Sequence, residues 1–275
     1  MNYQLGLIGF PLGHSLSPKI HAAALNACGL QGDYSLFPIH PEDTQALKDL
    51  LARVRVGELH GLNVTIPHKQ NVIPLLDELT STAQAIGAVN TIYLRDKKLI
   101  GDNTDAAGFL SDLKRFVNRE TSKQGNRSAL VLGAGGSARA VVYALLNDGW
   151  DVTLAARRIE QAQQLAQSFP NYQLPITNLT DLQLSTFNLL VNTTPLGMSP
   201  NIETSPLPEN TVLSKNTFIY DLVYNPRETK LVKDVRAQGL QATTGLGMLI
   251  EQAALAFELW MGQKPDRQTL RHAVE

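Results

Sequence analysis

Short apolar runs of strand length alternate with segments of helical period along most of the chain, and that alternation predicts α/β architecture with parallel sheet. Leu5 to Phe10 reads as a buried strand, broken by Pro11-Leu12-Gly13-His14. Ser17 as N-cap and Pro18 as first helical residue then open a helix to about Cys28, with Gly29 after it. Tyr34 to Ile39 is a second strand, and Pro41 to Val54 a helix with Glu42 and Asp43 in its first turn. From Gly61 to Lys69 the period changes to two: Asn63, Thr65 and Pro67 share one face, while Leu62, Val64 and Ile66 point to the core. That polar stripe, followed by Lys69, fits a binding site, and on spacing alone it equally fits a solvent-facing edge strand.

Helical segments continue through Ile86. Gly87 to Leu94 and Lys98 to Gly101 then form a predicted hairpin around Arg95-Asp96-Lys97, and a helix runs from Ala106 to about Val117. Asp102 and Asp105 both stand where an N-cap would, and the cap is the preferred reading for Asp102. Arg119 to Arg127 has no apolar periodicity and is the predicted domain boundary. Beyond it, strands at Ser128 to Leu132, Asp151 to Ala155, Asn188 to Asn192, Thr217 to Val223 and Gln241 to Thr243 alternate with helices, as a doubly wound sheet requires. Those helices are predicted at Ser137 to Asn147, Glu160 to Ser168 and after Pro226 to about Gln238. A last helix, Met248 to Met261, places Leu249, Ala253, Ala256, Phe257 and Trp260 on one core stripe, with Gln252 beside it.

The chemistry begins where the strand Ser128 to Leu132 meets a glycine cluster. Gly133, Gly135 and Ala138 fit the Gly-x-Gly-x-x-Gly/Ala fingerprint: a tight turn, room for backbone to approach a pyrophosphate, and close packing of helix on strand. The unpaired amides and partial positive charge of the helix N-terminus favour the anion. A glycine-rich turn in an α/β core has the same spacing; the second strand that follows favours the dinucleotide. An NAD enzyme usually carries an acid at the tip of that strand, whereas here it reads Ala155-Ala156-Arg157-Arg158. Two guanidiniums suit a 2′-phosphate, so the predicted cofactor is NADP; the alternative is a pair of solvated surface charges.

Composition narrows the class. With 275 residues there is room for two modest domains, and 43% hydrophobic with 18% charged residues is ordinary for a globular chain. A net charge of -1 gives no case for nucleic acid or an anionic membrane. The one cysteine, Cys28, excludes an intrachain disulfide, fits a reducing, cytoplasmic setting, and is expected to be buried on its helix. No stretch has the length of a membrane span, and the six histidines form no metal-ligand pattern; His14, His21 and His68 read as structural.

Five motifs, in order, resemble the shikimate dehydrogenase family nearly from end to end: Ser15-Leu16-Ser17-Pro18 with His21, Asn63 to Lys69, Gly87 to Thr91, Gly101 to Asp105, and Gly245-Leu246-Gly247-Met248-Leu249 with Gln252. The chain differs from the family pattern at Ala156-Arg157-Arg158, where Asn-Arg-Thr is frequent, and at Ala22, where Asn is frequent. The resemblance implies an N-terminal α/β substrate domain (1–105), a Rossmann-type NADP-binding domain (106–240) and a C-terminal helical segment (241–275) returning to the first domain, with the active-site cleft between the domains. It implies NADP-dependent, reversible reduction of 3-dehydroshikimate to shikimate by a monomer or homodimer. By the same resemblance Ser15 and Ser17 bind the substrate carboxylate with the Tyr224 hydroxyl, and Asn63, Thr65, Lys69, Asn90, Asp105 and Gln252 surround the ring hydroxyls. Gly133, Ala134, Gly135, Gly136, Ser137, Ala156, Arg157, Arg158, Thr193, Leu222 and Gly245 would hold the cofactor. Hydride addition builds negative charge on the carbonyl oxygen, and Lys69, charged at neutral pH, is the chosen proton donor, with Asp105 orienting it. The alternatives are a quinate/shikimate dehydrogenase preferring NAD and a non-catalytic ligand sensor.

Overall fold

The computed structural model describes every residue except 14, 118–126, 179–183 and 210, so His14 and nearly all of the predicted boundary at Arg119 to Arg127 lie outside the described residues. The chain forms two compact units, Met1–Gly108 with Ile250–Glu275, and Phe109–Leu249. The limits of these units fall inside two helices, α5 (Asp105–Phe116) and α9 (Leu246–Met261). Residues 241–249 thereby group with the second unit, because their strand completes its sheet.

The first unit holds a six-stranded sheet in the order β2 (Gln31–Pro38), β1 (Asn2–Gly9), β3 (Gly61–Val64), β5 (Thr91–Arg95), β6 (Lys98–Asp102), β4 (Glu78–Leu79). The strands β1, β2 and β3 run parallel, and β5 is antiparallel to β3 and β6. Helix α2 (Thr44–Arg55) seals one face with Leu47, Leu50, Leu51 and Val54, spaced i, i+3, i+4, i+7 and all buried; each contributes roughly 2 kcal/mol of burial. It starts later than predicted, because Asp43 is its N-cap, accepting from the Ala46 amide at 2.9 Å, and Glu42 precedes it. In α1 (Ser17–Ala27) the N-cap is Leu16, not Ser17, which is itself the first helical residue; Cys28 ends the helix half-buried rather than buried.

The predicted strand Gly61 to Lys69 stops at Val64. The His68 amide turns back to the Thr65 carbonyl, Pro67 precedes a short helix α3 (His68–Asn71), and Ile66 is 61% exposed instead of facing the core. Nor is β3 an edge: it lies between β1 and β5. The hairpin is tighter than predicted, with Asp96 and Lys97 both at positive φ, the two-residue turn that matches strand twist. Its first strand starts at Thr91, since Gly87 (φ 67°) is the left-handed C-cap of α4 (Ser81–Ile86).

The second unit holds a six-stranded, all-parallel sheet in the order β12 (Ala242–Thr244), β11 (Phe218–Asp221), β10 (Leu189–Asn192), β7 (Ser128–Leu132), β8 (Asp151–Ala155), β9 (Ile176–Thr177). Counted from β7 this is 3-2-1-4-5-6, the dinucleotide-binding order with its switch point between β7 and β10. Ala129 to Leu132 and Leu189 to Val191 are at most 1% exposed, as expected for parallel strands covered on both faces. The helices α6 (Gly136–Asn147), α7 (Ile159–Gln167) and α8 (Lys230–Ala237) make the crossovers from β7 to β8, β8 to β9 and β11 to β12. Two-residue strands β4 and β9 and the helix α10 (Arg267–His272) complete the elements and were not predicted.

Candidate active site

In the first unit the polar residues gather at one end of the sheet, the carboxyl ends of β1, β2 and β3 and the amino end of β5. The Thr65 amide donates to the Ile8 carbonyl at 2.8 Å and the Phe10 amide to Ile66 at 3.0 Å, tying the loop after β3 to the loop that carries Ser15. Ser15 Oγ accepts from the Ser17 amide at 3.2 Å. Ser15 is half-buried and Ser17 buried.

Lys69, on α3, places its Nζ 2.5 Å from Asp105 Oδ2, the side chains being 12% and 7% exposed. Asp105 opens α5, where a carboxylate is favoured by the helix dipole, and the Asn103 side chain accepts from its amide at 3.0 Å. Asn103, rather than the predicted Asp102, thus serves the start of α5; Asp102 belongs to β6, and its carboxylate accepts from Thr80 Oγ1 at 2.7 Å. Asn90 Nδ2 donates to Asp105 Oδ1 and to Thr104 Oγ1, both at 2.9 Å, and lies 3.3 Å from Gln252 Oε1. Asn90 Oδ1 accepts from the Thr104 amide at 2.8 Å and from Thr91 Oγ1 at 2.9 Å. Asn63 joins from β3, donating to the Asn90 carbonyl at 3.2 Å and accepting from the Tyr34 hydroxyl at 2.8 Å. The result is one ammonium and one carboxylate set in a shell of uncharged amides and hydroxyls.

His21 lies behind this shell, fully buried and stacked on Tyr34 (ring centroids 4.4 Å apart, planes 1° apart). Burial pulls its pKa down to about 3, which the Asn63 side chain only partly offsets, so the ring is neutral at physiological pH. His68 donates through Nε2 to the Ile39 carbonyl at 2.7 Å. Among the described residues no group of His, Cys, Asp and Glu could hold a metal ion, and no helix is long and apolar enough to cross a membrane.

The second unit carries the remaining predicted residues. Gly133 has φ 109°, and a Cβ there would come within 2.6 Å of Thr193 Oγ1. Gly135 is the N-cap of α6, with open space where a Cβ would stand and no side chain capping the helix. Gly136 and Ser137 form the first turn of α6, directly after that uncapped start. Ala138 is buried against the sheet. Ala156 is buried at the tip of β8, while Arg157 and Arg158 are exposed just beyond it. Thr193 donates to the Leu132 carbonyl from both its amide (2.9 Å) and its hydroxyl (2.6 Å), joining the loops at the switch point. Gly245 runs so close to Leu222 that a Cβ would meet that carbonyl at 2.1 Å. Tyr224 belongs to this unit, half-buried in the loop after β11, whereas Ser15 and Ser17 belong to the first.

Tyr34, Thr91, Asn103 and Thr104 escaped the sequence reading as site residues. Asn103 and Thr104 had a signal, lying inside the Gly101 to Asp105 motif, as did Thr91 at the end of the Gly87 to Thr91 motif.

Three family models match the chain: the shikimate dehydrogenase substrate binding domain over residues 7–92, shikimate/quinate 5-dehydrogenase over 115–237, and the shikimate 5′-dehydrogenase C-terminal domain over 245–275. A relative from Shouchella clausii, shikimate dehydrogenase (NADP(+)), is 39% identical over 276 aligned residues, covering 100% of this chain and 98% of its own. The crystal structure of shikimate dehydrogenase from Aquifex aeolicus is 37% identical with a TM-score of 0.89, covering 100% of this chain and 98% of that one. The Thermus thermophilus shikimate 5-dehydrogenase, solved with NADP(H) and shikimate, is 38% identical with a TM-score of 0.84 and covers 98% of both chains.

Proposed function

This chain belongs to the shikimate dehydrogenase family, and from that premise we propose that Lys69 is the proton-transfer group of its active site, with Asp105 and Asn90 holding it in place. The protein is an NADP-dependent oxidoreductase that reversibly reduces 3-dehydroshikimate to shikimate, on the route to chorismate and the aromatic amino acids.

The observation that carries the assignment is the 2.5 Å approach of Lys69 Nζ to Asp105 inside an uncharged shell. Bound NADPH supplies the hydride. Lys69 then delivers a proton to the oxygen on which charge develops, from within hydrogen-bond reach, and takes it back in the oxidative direction. Asp105 accepts from Lys69 on one oxygen and from Asn90 on the other, so the carboxylate is fixed in plane and can aim the amine. Ser15 and Ser17 take the substrate carboxylate; Asn63, Thr65 and Gln252 take ring hydroxyls. On the cofactor, the amides of Gly133 to Ser137 hold the pyrophosphate, Ala156 to Arg158 the adenosine end and its 2′-phosphate, and Thr193, Leu222 and Gly245 the remainder. A cytoplasmic location fits the single cysteine and the small, soluble substrate.

Replacing Lys69 by Ala is expected to lower kcat by roughly 10²- to 10⁴-fold with a smaller change in KM for shikimate. Steady-state oxidation of shikimate, followed by NADPH absorbance, measures both. A variant with near-normal kcat and a raised KM would move Lys69 to a binding role.

A further inference from the structure

Outside the lysine site, the most deeply buried carboxylate among the described residues is Asp221, 0% exposed at the carboxyl end of β11. Its Oδ1 accepts from Asn192 Nδ2 at 2.8 Å and from the Val223 amide at 3.1 Å, and its Oδ2 accepts from Thr229 Oγ1 at 2.6 Å. Asn192, also 0% exposed, ends β10 next door, and its Oδ1 accepts from the Thr194 amide at 3.0 Å and the Thr194 hydroxyl at 2.7 Å. Thr229 is at the same time the N-cap of α8. One carboxylate therefore fixes the ends of two neighbouring strands, the loops that leave both, and the start of a helix.

Burying a carboxylate is costly unless every lone pair is used. Here three hydrogen bonds fill three of its roughly four acceptor sites, and burial still holds the Asp221 carboxyl above its ordinary pKa. Neutral side chains could join two loops more cheaply, so the charge calls for a reason in what the loops do. The strand order supplies one. A dinucleotide crosses the carboxyl ends of this sheet at the switch point, with its pyrophosphate on the amides after β7. If the adenosine end lies toward Arg157 and Arg158 beyond β8, the nicotinamide end falls on the side of β10 and β11. The residues there, Thr193 and Leu222, each adjoin a member of the cluster in sequence.

We propose that Asp221 is a positioning residue for the nicotinamide end of the cofactor, acting through Asn192 and the backbone at 193–194 and 222–223. The proposal rests on the NADP reading above and deepens it. The cluster tunes where the nicotinamide sits and leaves the grip on the adenosine phosphates to the other half of the sheet.

The test compares NADP with 2′,5′-ADP, which carries the adenosine phosphates and no nicotinamide, by calorimetric titration of the wild type, Asp221→Asn and Thr194→Val. Thr194→Val keeps the side-chain volume and removes the hydroxyl bonded to Asn192, so it serves if Asp221→Asn does not fold. In the folded variants NADP affinity should fall about tenfold, the scale of one lost buried hydrogen bond, while 2′,5′-ADP affinity and shikimate KM stay within about twofold. Equal weakening of both ligands, or no change in either, would overturn the proposal. Wild-type protein that binds neither ligand would overturn the NADP reading, and the proposal with it.

Discussion

The ring of His21 is the clearest case of one residue setting a property of the protein. Its pKa is about 3 in the folded chain against an ordinary 6.5, so between those values the unfolded chain binds the extra proton. Stability is therefore full above pH 6.5 and is lost as pH falls toward 3. Between pH 6.5 and 5 the loss from this group alone is roughly 2 kcal/mol. His21→Phe, which keeps an aromatic ring against Tyr34, is expected to flatten that part of the profile; urea unfolding at pH 7 and pH 5 measures it, and an unchanged slope would contradict the account. His21, Lys69 and Asp105 stood out in sequence because each sits inside a recognisable motif. The bonds that join them were not legible: Asn90 and Gln252, themselves within motifs, meet through a side-chain hydrogen bond that leaves no local periodicity, as do Asn90 and Thr104, and Asp102 and Asn103 exchange capping roles that only the backbone path decides.

The turn between β7 and α6 is an element whose geometry admits one residue type. Gly133 combines φ 109° with a Thr193 hydroxyl where its Cβ would be, so Gly133→Ala is expected to cost about 1–3 kcal/mol of stability and at least ~10-fold in NADP affinity. Thermal unfolding and NADP titration of this variant give both numbers; wild-type affinity would show that the turn tolerates a side chain. Elements of this kind were legible, because a continuous apolar run ending in glycines has few other uses. The long strand assigned to Gly61 to Lys69 was not: alternation of polar and apolar residues continues through Ile66, while the chain has already turned at Thr65. Strands of two residues, β4 and β9, are too short to carry any period.

Over the whole molecule, the two ligands should report on different units. A ligand at 100 times its Kd adds about 2.7 kcal/mol of stability. Replacing Arg157 and Arg158 together by Ala is therefore expected to shrink the rise in Tm produced by NADP, leaving the smaller rise with NAD and the rise with shikimate unchanged. Equal losses with NADP and NAD would refute the 2′-phosphate assignment. The two-unit plan was visible in the chain as an α/β half followed by a doubly wound half. The limits of the compact units lie near the starts of helices whose apolar pattern continues across them, and such a pattern carries no sign of a division.

Those helical crossings also fix an order of assembly. Residues 109–249 are contiguous and can close their sheet as soon as they leave the ribosome, whereas the first unit must wait for the tail that follows them. Until Trp260 arrives to cover Gly61 and donate to the Ile92 carbonyl, and Gln252 to reach Asn90, the half that emerges first stays unfinished. A nascent polypeptide stalled short of these helices is therefore expected to carry an unfinished first unit and a closed second sheet.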